Sequence, residues 1–183
     1  GYDRTRLEGD GTIKLVIDST YNDGINGLHP VTYVAEDAIG HSSTFEASVL
    51  KEVVFKTNLN FKYNGYPEGM LGGATHLTTF IPPAGVTVIP NYFRANCQLL
   101  PMMSLDSVTS IGDYAFFENY QIEEVVVPDT VTYIGQNSFL CSISDNSSLR
   151  TVIMYASGVT IGDTAFVVGN YFRDVYTVSD TGV

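Results

Sequence analysis

The first candidate for chemistry is a run of oxygen donors near the N-terminal end of the chain. Asp18, Asn22, Asp23 and Gly24 have the residue types of a calcium-binding loop. Such a loop needs alternating oxygen ligands and an acid at its twelfth position. Counted from Asp18, that position is His29, so the pattern fails. We interpret the run as a turn and predict no metal site.

The residue types that serve acid–base or nucleophilic catalysis are present without a catalytic arrangement. Glycoside hydrolysis needs two carboxylates about 5–10 Å apart across a cleft. Glu123 and Glu124 are neighbours in a predicted strand, so their side chains point to opposite faces. His29, His41 and His76 have no recognisable nucleophile pattern beside them, and no hydrolase, metalloprotease or phosphate-loop motif occurs. We predict no catalytic residue and no cofactor, which leaves a glycan-active enzyme as the least favoured function.

The elements that would position any site follow from a repeated phrase. Val-Thr-x-Ile-Gly, with a Phe five residues after the Ile, recurs around Ile111, Ile134 and Ile161. These isoleucines are separated by 23 and 27 residues. Self-similarity at a period of about 20–29 residues indicates a solenoid, in which each turn packs on the next. The usual product of such a fold is a binding face.

A second phrase, Leu-x-x-Val-x-Val/Ile, precedes the first in every unit and is often closed by Pro. Its short, β-branched pattern predicts one strand per repeat, and so a parallel sheet. Side chains at positions one, four and six should point inward, and position five outward. The longer repeats are assigned insertions, as loops, at residues 58–73 and 142–147. The copies begin at Leu50, Leu77, Leu99, Ile122 and Leu149.

The Val-Thr-x-Ile-Gly phrase is expected to form the returning side of each coil, and we call it the returning phrase. Two residue types in it predict local structure. Gly112, Gly135 and Gly162 are expected to take turn conformations that other residues resist. Asp113 and Asp163 are expected to cap one helical or 3₁₀ turn, with the Phe that follows filling the interior.

Weaker signals extend the pattern to both ends. Residues 15–17 are predicted as a strand, 21–27 as a turn-rich loop, 31–35 as a returning phrase and 175–178 as a last strand. The polar residues 1–11 are expected to cover the end of the column. We predict a single domain over residues 1–183, in which 1–30 form the cap and first strand and 31–178 the repeats.

The two cysteines, Cys97 and Cys141, lie about two repeats apart at similar positions. Equivalent sites two coils apart are separated by roughly 10 Å, whereas a disulfide needs Cα atoms within about 7 Å. We predict two buried free thiols.

Composition limits the partners. Twenty acids against nine bases give a formal charge of −11, which disfavours nucleic acid and anionic membrane surfaces. No apolar run is long enough for a membrane span. No basic segment is followed by an apolar one, so we expect no signal peptide within this sequence. Because the sequence begins at Gly1 and not at Met, we expect a mature fragment or a trimmed form, and removal of an export signal is one way in which it could arise.

The two phrases, recurring together in order, resemble the BspA-like class of bacterial leucine-rich repeats. The best copies cover residues 108–166. The resemblance implies a right-handed leucine-rich-repeat solenoid, a β-rich superhelix of the α/β class with a parallel concave sheet. It also implies an extracellular or cell-surface protein, since many members are secreted or surface-attached and some are implicated in adhesion.

This sequence departs from the family pattern at four positions, which puts the regularity of the third and fourth turns in question. Pro90 replaces the Gly of its phrase, and Phe93 arrives one residue early. Pro82 and Ser104 occupy sixth strand positions.

Position five of the strands carries an apolar side chain in every copy, and we call this set the outer stripe. Exposed apolar patches of this kind often mark interaction sites, although strand propensity or self-association would also account for the pattern. The leading hypothesis is non-enzymatic binding of a host or bacterial surface protein, in adhesion. The alternatives are a structural spacer within a larger surface protein and a homodimer formed through the sheet. The outer stripe consists of Val54, Ile81, Met103, Val126 and Ile153.

Overall fold

The fold is built from short strands. A computed structural model describes residues 13–22, 24–31, 33–35, 39, 50–56, 60–62, 70–141, 149–168, 171–172 and 175–177. These ranges contain strands and turns but no helix, and therefore no helix that could cross a membrane. The predicted cap at 1–11, the predicted loop at 142–147, Asp23 and His41 lie outside the described residues.

Sixteen strands occur in the described residues. They are β1 (Ile13–Ile17), β2 (Thr20–Asn22), β3 (Leu28–Pro30), β4 (Tyr33–Ala35), β5 (Leu50–Phe55), β6 (Asn60–Lys62), β7 (Thr79–Ile81), β8 (Val88–Ile89), β9 (Ser110–Ile111), β10 (Glu124–Val127), β11 (Tyr133–Ile134), β12 (Thr151–Met154), β13 (Thr160–Ile161), β14 (Val167–Val168), β15 (Tyr171–Phe172) and β16 (Val175–Thr177).

The Leu-initiated phrases form a parallel sheet in two parts, which we call the first sheet. One part has the order β1-β5-β7 and the other β10-β12-β16. Residues 100–105, which lie between the two parts, form no strand. The predicted strands at 15–17 and 175–178 are confirmed within β1 and β16, apart from Val178, which lies outside the described residues. β-branched side chains that alternate between core and solvent favour these strands.

The returning phrases form a second parallel sheet, the return sheet, with the order β13-β11-β9-β8. Its isoleucines pair in register from coil to coil, and Ile89, Ile111 and Ile134 are fully buried. Threonine hydroxyls join its outer surface: Thr109 Oγ1 donates to the carbonyl oxygen of Thr87 at 3.0 Å, and Thr132 Oγ1 donates to that of Thr109 at 3.1 Å. Each coil is therefore bonded to the next by backbone and side chain.

The N-terminal coils follow the same plan with one correction. β4 lies in the predicted returning phrase at 31–35 and pairs in parallel with β6. Since β6 falls within residues 58–73, the prediction of an uninterrupted loop there was wrong. The predicted loop at 21–27 lies at the bend of an antiparallel hairpin of β2 and β3, where Gly24 and Gly27 have φ angles of 75° and 94°.

Phenylalanine rings fill the interior as predicted. Phe116 stacks on Phe139 with ring centroids 4.9 Å apart, and Phe139 stacks on Phe166 at 5.2 Å. All three side chains are buried. We call this stack the phenylalanine column.

The glycines of the returning phrase serve a different purpose from the predicted one. Gly112, Gly135 and Gly162 do not have left-handed φ angles. They are needed because neighbouring coils approach closely: a Cβ on Gly135 would lie 2.5 Å from the backbone nitrogen of Asp113 and 2.6 Å from the carbonyl carbon of Gly112. A side chain at these positions would collide with backbone, which cannot move aside.

Left-handed backbone occurs two residues after each of these glycines, and also two residues after Pro90, at positions that carry side chains. This conformation is unusual for residues other than Gly, Asn and Asp. Its recurrence at equivalent positions shows that the packing of coils imposes this change of chain direction, which we call the return corner. The residues are Tyr92 (φ 54°), Tyr114 (φ 56°), Asn137 (φ 54°) and Thr164 (φ 57°).

The aspartate prediction was also wrong, because turns rather than helical turns follow Asp113 and Asp163. Asp113 bonds to the next coil: its Oδ1 accepts the backbone N–H of Gln136 at 2.9 Å. Asn91 Oδ1 accepts the N–H of Asp113 at 2.9 Å in the same way. These side chains satisfy backbone donors at the corner that the glycines make possible.

We predict that Gly135→Ala lowers the free energy of unfolding by about 3 kcal/mol or more, because the methyl group overpacks against backbone. The matched control is Gly85→Ala, where a Cβ meets nothing within 4 Å and only the φ of 76° is unfavourable. That control should cost about 1 kcal/mol. Urea unfolding followed by circular dichroism gives both values, and equal losses would contradict the role assigned to Gly135.

Candidate functional site

The N-terminal part of the outer stripe is in register on the first sheet. Val54 pairs with Val16 on one side and with Ile81 on the other. Ile81 is 49% exposed and Val54 is half-buried. Nearby charges on this part are paired, since Lys14 Nζ lies 2.9 Å from Glu52 Oε1.

The C-terminal part of the stripe has a different electrostatic setting. Val126 is 42% exposed and pairs with the half-buried Ile153. Glu123 and Glu124 are exposed beside Val126 and form no ion pair with a described residue. This part therefore presents apolar side chains next to negative charge.

Between the two parts, the predicted strand register was wrong by one residue. Leu99, taken as the inward first position, is 44% exposed, whereas Leu100 is 1% exposed and Leu105 is 3% exposed. The copy therefore starts at Leu100, which moves Met103 from position five to position four. Met103 is half-buried and packs against the core.

The register is set by the turn that precedes the copy. Cys97 Sγ donates to the carbonyl oxygen of Leu71 at 3.0 Å, and Asn119 Nδ2 donates to that of Arg94 at 2.9 Å. These two side chains close equivalent turns in adjacent coils, and a buried core residue follows each of them after three positions. Since that residue is Leu100 after Cys97, Ser104 takes the outward position. The stripe is therefore interrupted by an exposed hydroxyl.

A buried arginine occupies the next place in the phenylalanine column. Arg94 N–H donates to the carbonyl oxygen of Ala115 at 3.0 Å, as Phe116 N–H donates to that of Ser138 at 2.7 Å. Arg94 thus takes the place that Phe116 holds one coil later, and its Cζ lies 4.8 Å from the centre of the Phe116 ring. The guanidinium continues the stack through a cation–π contact.

Arg94 is a costly residue at this place. It is 1% exposed, and no carboxylate among the described residues forms a salt bridge with it. Its Nε has no hydrogen-bond partner there. Desolvation lowers the pKa of Arg94 to about 10, so the group is charged at neutral pH and its burial opposes folding.

The cysteines are both buried, as predicted, and no disulfide joins them. Burial raises the pKa of the Cys97 thiol to about 12, so this group is not a thiolate nucleophile at neutral pH. Cys141 Sγ lies 3.9 Å from Oε2 of the buried Glu118, to which Tyr120 O–H also donates at 2.5 Å. Burial, together with this hydrogen bond, raises the pKa of Tyr120.

Among the described residues, the remaining candidates for chemistry are not brought together. His29 is half-buried in β3, and His76 is exposed with its Nδ1 3.2 Å from Thr75 Oγ1. In the described ranges no group of three His, Cys, Asp or Glu side chains could hold a metal ion.

Sequence reasoning missed Arg94, although a signal for it was present. The Phe of the repeat lies five residues after the Ile, and the residue five after Ile89 is Arg94. Phe93 was interpreted as the column residue arriving early. It instead occupies the position of Ala115 and meets Phe116 edge-on at 6.2 Å.

Two parallel sheets joined by short turns, with a Leu, Ile and Phe core repeated coil by coil, define a leucine-rich-repeat solenoid. The sequence profile of the BspA type leucine rich repeat region matches residues 73–170 in 6 copies. Because the match spans more than half of the chain, this protein belongs to the BspA type leucine-rich repeat family. No curated protein matches the sequence.

Two crystal structures show the same fold. The leucine-rich repeat protein of T. pallidum aligns over 86% of this chain and 77% of its own, with a TM-score of 0.59 and 19% identity. A leucine-rich repeat protein from Bacteroides ovatus aligns over 94% of this chain and 56% of its own, with a TM-score of 0.56 and 15% identity. The present chain thus spans just over half the length of the second protein. The prediction of a leucine-rich-repeat solenoid is confirmed.

We predict that Arg94→Phe raises the free energy of unfolding by about 1–4 kcal/mol, since an apolar group in place of a buried charged one removes its desolvation penalty. The ring would extend a column that three coils already share. Thermal and urea unfolding of the two proteins measure the difference, with Phe139→Leu as a control that should lower stability. A loss of stability in Arg94→Phe would show that the guanidinium has a stabilising partner.

Proposed function

We propose that this protein is a non-enzymatic binding module of the bacterial cell surface, and that it takes up a protein partner on the outer face of the first sheet in adhesion. The observation that carries the proposal is the exposure of Val126, whose strand neighbours Val125 and Val127 are buried, together with the exposure of Ile81, whose neighbour Phe80 packs against the core. Membership in a bacterial repeat family supports an interaction role. Burial of such side chains is the main source of affinity in protein interfaces.

The two parts of the outer stripe are not equivalent in this proposal. The charges beside the N-terminal part already satisfy one another, as in the ion pair of Lys14 and Glu52. The carboxylates of Glu123 and Glu124 flank Val126 without such partners among the described residues. The C-terminal part therefore fits a partner that offers an apolar patch with basic side chains at its rim. A total charge of −11 would speed the approach of such a partner.

The experiment compares the double variant Val126→Glu with Ile153→Glu against a matched control. Val88→Glu is that control, because Val88 is 49% exposed but lies on the return sheet. We expect the double variant to lose at least about tenfold in binding to host cells and immobilised matrix proteins, since a carboxylate cannot be buried there unpaired. Surface plasmon resonance measures this, and the control should bind like the wild type.

Light scattering separates a partner surface from self-association. The proposal expects the wild type, the double variant and the control to be folded monomers. A dimeric wild type with a monomeric double variant would assign the stripe to a homodimer. Unchanged binding by a folded double variant would contradict the proposal and leave a structural spacer as the better account.

A further inference from the structure

The guanidinium of Arg94 has more donors than partners, and its side-chain hydrogen bond is weak. Nη2 lies 4.0 Å from Met102 Sδ, and a thioether sulfur is a poor acceptor. Nε has no hydrogen bond in the described part of the chain. The side chain is 1% exposed, so water does not replace the missing acceptors from outside. A better acceptor at Met102 would relieve an unfavourable buried charge.

Met102 is one of two methionines that keep appreciable exposed surface. Met70 and Met154 are buried, with 0% and 5% of their surface exposed. Met102 and Met103 are half-buried on the segment between the two parts of the first sheet. Only Met102 lies against a cation, because no donor is found at the sulfur of Met103 among the described residues. Met102 and Met103 can therefore be compared directly: both are half-buried, and they differ in that Met102 has the Arg94 donor at its sulfur.

We propose that Met102 is a site of reversible sulfur oxidation and that Arg94 holds the resulting sulfoxide. The oxidant is a peroxide: a lone pair of Met102 Sδ attacks the hydroxyl oxygen of the peroxide and the O–O bond breaks. The proton of the transferred hydroxyl passes to the second oxygen, which leaves as water or alcohol. Sulfur is oxidised by two electrons and the peroxide is reduced by two. The reverse step needs a thiol-dependent sulfoxide reductase.

The oxidised side chain suits this place better than the reduced one. An oxygen bonded to Sδ on the side of Arg94 would come within hydrogen-bond distance of Nη2, replacing a long N–H···S contact by a charge-assisted N–H···O bond. Methionine oxidation usually disrupts a core by making an apolar side chain polar. At Met102 the new oxygen instead meets a donor that was under-used, so the fold tolerates oxidation there. This inference does not depend on the proposed function.

The test uses two single-site backgrounds treated with hydrogen peroxide. Met103→Leu leaves Met102 as the accessible methionine, and Met102→Leu leaves Met103. Peptide mass spectrometry of the folded proteins locates the sulfoxide, and circular dichroism gives the melting temperature before and after oxidation. We expect oxidised Met103→Leu to keep or raise its melting temperature. Oxidised Met102→Leu should lose at least about 2–4 °C.

Variants that lack the guanidinium test whether Arg94 is what makes oxidation of Met102 tolerable. The first double variant combines Arg94→Phe with Met103→Leu, and Arg94→Leu replaces Arg94→Phe if that protein does not fold. In either double variant, oxidation of Met102 should lower the melting temperature by at least about 2–4 °C. Treatment with methionine sulfoxide reductase should restore the starting value. The proposal is overturned if Met102 is not oxidised in the folded protein, or if oxidation costs the Met103→Leu background as much with Arg94 as without it.

Discussion

The close approach of neighbouring coils at the return corner is the constraint on which the rest of the structure depends. At Gly112, Gly135 and Gly162 a Cβ would lie within 2.7 Å of a carbonyl carbon of the preceding coil. At these three positions the chain passes without a side chain, and it then turns through a left-handed residue such as Tyr114. Backbone donors freed by this path are taken up by side chains such as Asp113. The spacing between neighbouring coils is thus fixed by their contact.

The same spacing explains both the phenylalanine column and its exception. Equivalent side chains lie in register from coil to coil, so planar groups stack, as Phe116 and Phe139 do. A guanidinium is also planar, which is why Arg94 enters the stack over Phe116. It brings a charge into the core at the end of one repeat, and in the next repeat the first sheet is divided and the outer stripe is interrupted by Ser104. The irregularity in the core and the irregularity on the surface thus lie in consecutive repeats.

The spacing of Ile111, Ile134 and Ile161 was enough to predict the solenoid, because period and apolar type are properties of the sequence alone. The prediction of one strand per repeat was wrong, since the returning phrases pair in a second parallel sheet. The Leu-initiated phrases predicted the first sheet in the same way. The roles of Gly135 and Asp113 were mistaken, since both depend on atoms of another coil that a local pattern does not contain. The register at Leu100 was missed by one residue because it is set by Cys97, which closes the turn in the place of Asn119. Of the outer stripe, the strand pairing of Val54 with Ile81 and of Val126 with Ile153 is present, and its use by a partner is still a proposal.

Native-state hydrogen exchange at the corner glycines tests the central claim most directly. The amides of Gly112 and Gly135 donate to the carbonyl oxygens of Ile89 and Ile111 in the preceding coil, at 2.9 Å and 2.8 Å. If contact between coils holds the solenoid together, these amides should be among the slowest to exchange and should open together with their neighbours. Exchange as fast as that of Gly85, which lies in a turn, would mean that the coils separate locally and that the corner is not the constraint proposed here.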